Sequence, residues 1–155
     1  MKKLMIKSLM TLTLLGAMAQ ASAGTTTKFS GSGTFDLWRS TSVFGSGRSP
    51  IASDVDALVV QTDNGRAMIN LSIKGGVKGC QGFGRRYYAE EDGFGGYSLY
   101  QSKEDWMAAN TAGTATIESN TLTLTIIHEF EDQYACEWTL NNTVLSLKAA
   151  NPIKN

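Results

Sequence analysis

The tetrapeptide Asp63-Asn64-Gly65-Arg66, set between two alternating apolar runs, constrains the fold of this chain more than any other feature. An Asn-Gly pair supplies the two positive φ values of a type I′ turn, so residues 55–73 predict a two-residue β-hairpin. The expected register sets Val60 against Ile69 and Leu58 against Leu71 on one face. Gln61 then meets Met68, and Val59 meets Asn70, on the other. A second turn at Ser119-Asn120 pairs Ile117 with Leu122 and Ala115 with Leu124, with Thr116 and Thr114 opposite Thr123 and Thr125. Continuing that strand puts Leu122, Leu124, Ile126, His128 and Phe130 on one side, because successive side chains alternate.

A third turn at Asn141-Asn142 would pair Trp138 with Leu145 and Cys136 with Leu147, with Tyr134, Cys136, Trp138 and Leu140 sharing an inner face. Upstream, Phe29, Gly31, Gly33, Phe35 and Leu37 alternate with small polar residues, a half-buried strand whose glycines permit a bend or close strand approach. Weaker strands fall at residues 85–89 and 97–101. A short helix is expected over residues 103–109, because Ser102 and Asp105 match a capping box, with Trp106 and Ala109 turned inward to cover a sheet end. Residues 40–53, rich in Ser and Gly and containing Pro50, read as a long first loop, and residues 75–96 as a second irregular region. About eight strands and one short helix in a single domain make an all-β fold, an antiparallel up-and-down β-barrel or sandwich.

Residues 1–23 read as a secretory signal: Lys2, Lys3 and Lys7 form the positive end, residues 9–18 the apolar stretch, and Ala21-Ser22-Ala23 the cleavage site. The single domain is then residues 24–155, with a bacterial periplasm or the medium as destination. Without Lys2, Lys3 and Lys7, 11 basic and 14 acidic residues remain in 132, a balance that argues against nucleic-acid binding. In an exported chain the two cysteines, Cys80 and Cys136, are expected to form a disulfide. Zinc ligation by both with His128 lacks any C-x-x-C spacing. Stable membrane insertion is not expected either, because the apolar sets face one core and no aromatic girdles mark both strand ends.

Residues 79–100 mix glycines, aromatics and cations. Arg85, Arg86, Tyr87, Tyr88, Phe94 and Tyr97 are the candidate ligand- or partner-binding residues, since aromatic and Arg side chains on loops commonly anchor binding surfaces. The competing structural reading has the aromatics closing a barrel end and Arg85 and Arg86 pairing locally with Glu90, Glu91 and Asp92. The glycines match neither a dinucleotide-binding nor a Walker pattern. His128, the single histidine, joins the candidates as a pH-sensitive contact. Asp54 with Asp56, and Glu129 with Glu131 and Asp132, offer oxygen ligands for Ca²⁺ outside any EF-hand order. No acid, base and orienting group can be identified together, so the expectation is a non-enzymatic protein without cofactor or metal.

The run Thr-Ile-Glu-Ser-Asn-Thr-Leu-Thr-Leu at residues 116–124 and the strands Trp-Thr-Leu-Asn-Asn-Thr-Val-Leu-Ser-Leu at 138–147 resemble the last hairpins of small bacterial lipocalin-like proteins. The resembling segment, residues 114–148, covers about a quarter of the chain. Lipocalins open with G-x-W, whereas Gly33-Thr34-Phe35 carries Phe in place of Trp, and Trp38 follows three residues on. The resemblance implies an up-and-down barrel with an apolar interior that admits a small ligand, and it transfers no ligand residue. The expected partner is therefore a small apolar or amphipathic molecule inside the barrel. The alternative is another exported protein, as for an inhibitor or immunity-type module.

Overall fold

The computed structural model describes residues 24–41, 45–75, 80–133 and 136–150; the signal-like segment and Tyr134 lie outside them. Eight antiparallel strands close into one barrel in chain order. They are β1 (Thr25–Thr41), β2 (Gly45–Gln61), β3 (Arg66–Ile73), β4 (Phe83–Glu91), β5 (Gly96–Tyr100), β6 (Gly113–Glu118), β7 (Thr121–Gln133) and β8 (Cys136–Ala149). A single short helix, α1 (Lys103–Met107), lies between β5 and β6. Closure by β1 on β8 gives every strand a partner on both sides over at least part of its length.

The hairpin of β2 and β3 forms one residue out of the expected register. Val59 pairs with Ile69, Ala57 with Leu71, and Val60 with Met68. Of the turn residues only Gly65 has positive φ, at 73°, and Thr62 N–H donates to the Arg66 carbonyl at 2.8 Å. The connection is therefore a three-residue loop ending in a left-handed glycine, where a two-residue I′ turn requires positive φ at both central residues. The side-chain period is two, so this one-residue difference exchanges the faces of β2: Val55, Ala57 and Val59 are buried, and Leu58 is exposed.

The hairpin at Ser119-Asn120 has the expected register, from Ile117 opposite Leu122 to Thr114 opposite Thr125. Asn141-Asn142 does not turn the chain. β8 runs through it as one strand, and Asn142 adopts φ 46°. At this level the alternation slips in both partners: Ile126 and Glu129 are buried with Ile127 and His128 outward, and Leu140 and Leu145 are buried around an outward stretch. His128 and Phe130 therefore face solvent, contrary to the continued alternation. Leu122 and Leu124 pair with Leu147 and Leu145, the residues expected to face Cys136 and Trp138.

Residues 45–53 belong to β2 and do not form a loop; Pro50 stands opposite Asp36. β3 pairs with β2 only from Val55 to Gln61, so this part of β2 is an edge, where proline is tolerated. Within the second expected irregular region, residues 83–91 are the regular strand β4.

The expected alternation of β1 holds, with Phe29, Phe35 and Leu37 buried. At Gly33 a Cβ would stand 2.7 Å from the Phe35 ring and 2.8 Å from Leu145, so glycine admits these groups into the interior. Trp138, Tyr87, Phe29, Phe83 and Leu37 are among the largest fully buried side chains. Phe35 meets Trp138 edge-on at 6.1 Å, and the indole N–H donates to the Gln81 carbonyl at 3.0 Å. Beside it Cys80 and Cys136 form the expected disulfide, their Cα atoms 5.7 Å apart, tying the β3–β4 connection to the start of β8.

Candidate functional site

The register set by Gly65 carries an apolar row onto the outside of the barrel. Val60 pairs with Met68, Met68 with Tyr88, and Tyr88 with Tyr100, spanning β2 to β5. Tyr88 is 46% exposed, and Met68, Val60 and Tyr100 are partly so. The next outward row carries Arg66 paired with Glu90.

β5 ends at Tyr100, and Ser102 starts α1 two residues later by accepting the Asp105 N–H at 3.0 Å. The Ser102 hydroxyl and the Asn110 amide also donate to the Asp105 carboxylate, at 2.7 and 3.1 Å. Chiefly through Ser102, these bonds hold Asp105 below the usual carboxylate pKa. The capping-box expectation is met, but no residue of α1 is buried, so the helix docks on the outer wall and covers no sheet end. Trp106, 36% exposed, donates its indole N–H to the Glu90 carboxylate. The Arg66 guanidinium lies 5.3 Å from the Trp106 ring centroid and its Nε 3.6 Å from Glu90. Arg66, Tyr88, Ala89, Glu90, Tyr100, Lys103 and Trp106 enclose a cleft of about 270 Å³.

A second feature lies where the wall is interrupted. β4 pairs with β5 only over Tyr88–Glu91, and β6 reaches only Ile126 of β7. Beyond those limits β4 and β7 face one another across a seam bridged by side chains. Arg85 Nε donates to Glu129 at 3.0 Å and Nη2 to the Phe130 carbonyl at 3.2 Å, with Glu131 at 3.9 Å. Gln101 donates to the other Glu129 oxygen at 2.7 Å. Glu129 is only 2% exposed, drawn inward by the slip in alternation, and Arg85 is 30% exposed.

The Tyr87 hydroxyl is buried in the same region and has no hydrogen-bond partner among the described residues. Burial first, then the nearby Glu129 charge, raises its pKa well above that of an ordinary tyrosine. Over the seam, Gln101, Asp105, Asn110, Thr111, Ala112, Ile127 and His128 line a polar cleft of about 290 Å³.

The residues singled out from sequence separate into different places. Tyr88 lines the outer cleft, Arg85 and Tyr87 belong to the seam and core, and His128 sits at the seam rim beside the Asn141 side chain. Arg86 points outward and donates to Asn70 at 2.9 Å. Tyr97 is buried, its hydroxyl accepting from Gln61 at 2.9 Å. Phe94, 96% exposed, projects from the β4–β5 turn, where Asp92 accepts the Phe94 and Gly96 N–H groups at 2.7 and 3.1 Å. The local pairing expected of Arg85 and Arg86 with Glu90, Glu91 and Asp92 is replaced by these longer-range partners.

Arg66, Tyr100 and Lys103 join the outer cleft without having been candidates in the sequence, and Glu129, read there as an oxygen ligand for Ca²⁺, is instead the partner of Arg85. The signal for Tyr100 was its position directly across from Tyr88 once β4 and β5 are paired. Among the described residues no group of three His, Cys, Asp or Glu side chains is arranged to hold a metal. Asp54 and Asp56 are engaged by Lys74 and Lys28, and Glu129 by Arg85. No known protein family, characterised protein or solved structure matches the chain.

Proposed function

We propose that this is an exported, non-enzymatic protein that binds a small amphipathic molecule on its outer wall, in the cleft between α1 and the β4–β5 face. The observation that carries this reading is the outward pair Tyr88 and Tyr100 walled by Trp106, an aromatic-lined concavity that continues the outward apolar row of Val60 and Met68. Trp138, Tyr87 and Phe83 occupy the interior, which favours the wall over the barrel axis as the binding place. The disulfide is consistent with an oxidising, exported location. Apolar residues inside and mostly polar residues outside reverse the pattern of a lipid-embedded barrel, which supports action in water. Among the described residues no helix is long and apolar enough to cross a membrane.

Native mass spectrometry of the protein taken from the exported fraction tests this reading. Wild type should carry a small-molecule adduct that Tyr88→Ala/Trp106→Ala loses; an adduct retained by the double variant would move the ligand elsewhere and refute the assignment.

A protein partner is the second reading, favoured by Phe94. A phenylalanine held almost wholly in water on a turn pinned by Asp92 is the form of an interface anchor. Phe94→Ser should then abolish capture of that partner while leaving the fold unchanged, and undiminished capture would refute this reading.

A further inference from the structure

The outer cleft also indicates which class of molecule it receives, an inference resting on the outer-wall reading above. Tyr88 and Tyr100 are direct cross-strand partners and give the cleft an aromatic floor beside the Trp106 wall. A volume of about 270 Å³ falls just under the roughly 300–1,000 Å³ of pockets for drug-sized ligands, so one ring with a short polar arm fits better than a fused polycycle.

The charges of the lining decide the sign of that arm. Glu90 is engaged twice, by the Arg66 guanidinium and by the Trp106 indole N–H. Lys103, at the start of α1, has no ion-pair partner among the described residues. With Arg66 and Glu90 paired, Lys103 is, among the described residues of the lining, the one charge left without a counter-ion, although Glu104 and Asp105 follow it in the first turn of α1. Aromatic walls alone would favour a cationic guest, but here such a guest meets Arg66 and Lys103 as like charges. We propose that the cleft binds a single-ring monocarboxylate, the ring against Tyr88, Tyr100 and Trp106 and the carboxylate at Lys103.

Three probes of one shape and different charge test this on the intact, disulfide-bonded protein: phenylacetate, phenethylamine and 2-phenylethanol, titrated by calorimetry and tryptophan fluorescence. Phenylacetate should saturate one site and bind about fivefold or more tightly than either of the others, the factor expected of one partly exposed ion pair. Added salt should narrow that gap. Lys103→Gln should lower phenylacetate affinity by a similar factor and leave 2-phenylethanol unchanged, whereas Trp106→Leu should weaken both.

Equal or tighter binding of the amine or the alcohol would overturn the carboxylate assignment while leaving the outer cleft as the site. Phenylacetate binding that neither Lys103→Gln nor Trp106→Leu alters, or no binding by any probe, would overturn the carboxylate assignment and the outer-wall reading together.

Discussion

Removing Arg85 should unfasten the part of the barrel wall where β4 and β7 extend beyond the short strands β5 and β6. The Arg85 to Glu129 contact is 3.0 Å, which at an effective dielectric of about 20 gives a gross attraction of about 5 kcal/mol. Most of that is offset by the desolvation of Glu129, so the pair's net contribution is small. Arg85→Leu leaves the carboxylate, 2% exposed, without a cation and held by neutral groups such as Gln101. Stranding one member of a buried pair costs about 3–5 kcal/mol; with Arg85 partly in water and Gln101 retained, about 2–3 kcal/mol is expected.

Glu129→Leu leaves Arg85 with the Phe130 carbonyl, Glu131 and solvent, and about 1–2 kcal/mol is expected. The double variant, with neither charge stranded, should fall within about 1 kcal/mol of wild type. Urea unfolding of the four proteins, followed by circular dichroism, yields a coupling energy of about 2–5 kcal/mol on these figures. Additive single losses, with coupling below about 0.5 kcal/mol, would refute the argument that the two charges close the seam together.

The Cys80–Cys136 bond, spanning a sequence separation of 56, should contribute about 4 kcal/mol by restricting the unfolded chain. Unfolding of a Cys80→Ser/Cys136→Ser variant measures it, and a loss under about 1 kcal/mol would contradict that account. Tyr87→Phe deletes a buried hydroxyl beside the Glu129 carboxylate and should change stability by no more than about 1 kcal/mol. The raised Tyr87 pKa contributes stability present below the unfolded tyrosine value near 10 and lost as pH rises above it, so this variant should resist alkaline unfolding better than wild type. Asp56 is held below the usual carboxylate pKa mainly by the Ser30 hydroxyl at 2.7 Å, with Lys28 assisting. Its contribution is present above about pH 4 and lost as pH falls further, so Asp56→Asn should flatten the acid limb of stability against pH.

Strand identity was legible because alternation is a local property. Phe29 through Leu37 and Ala115 through Leu124 carry their inner and outer faces in the order of their residues, and closure into a barrel follows from enough such strands. Register was less legible. An Asn-Gly pair serves a two-residue turn with two positive φ values and a three-residue turn with one, and the difference sends Leu58 and Val60 outward. Asn142 presents the same ambiguity, because asparagine tolerates left-handed backbone at a hairpin and at a kink within a continuous strand alike.

The candidate site inherited these limits. Tyr88 was recognisable as an aromatic near cations, but the cleft needs α1 folded back on the wall, and that docking rests on Trp106 reaching Glu90 and Arg66 from elsewhere in the sequence. Glu129 could be read as a solvated acid until the slip beside Ile127 turned it inward.

The cystine bridge has a consequence for a severed backbone. A protease that cuts once within residues 101–112 would release no fragment, because Cys80 lies before the cut and Cys136 after it. The nicked molecule would migrate as one species without reductant and as two pieces with it, so an intact band on a non-reducing gel would not mean an uncut chain.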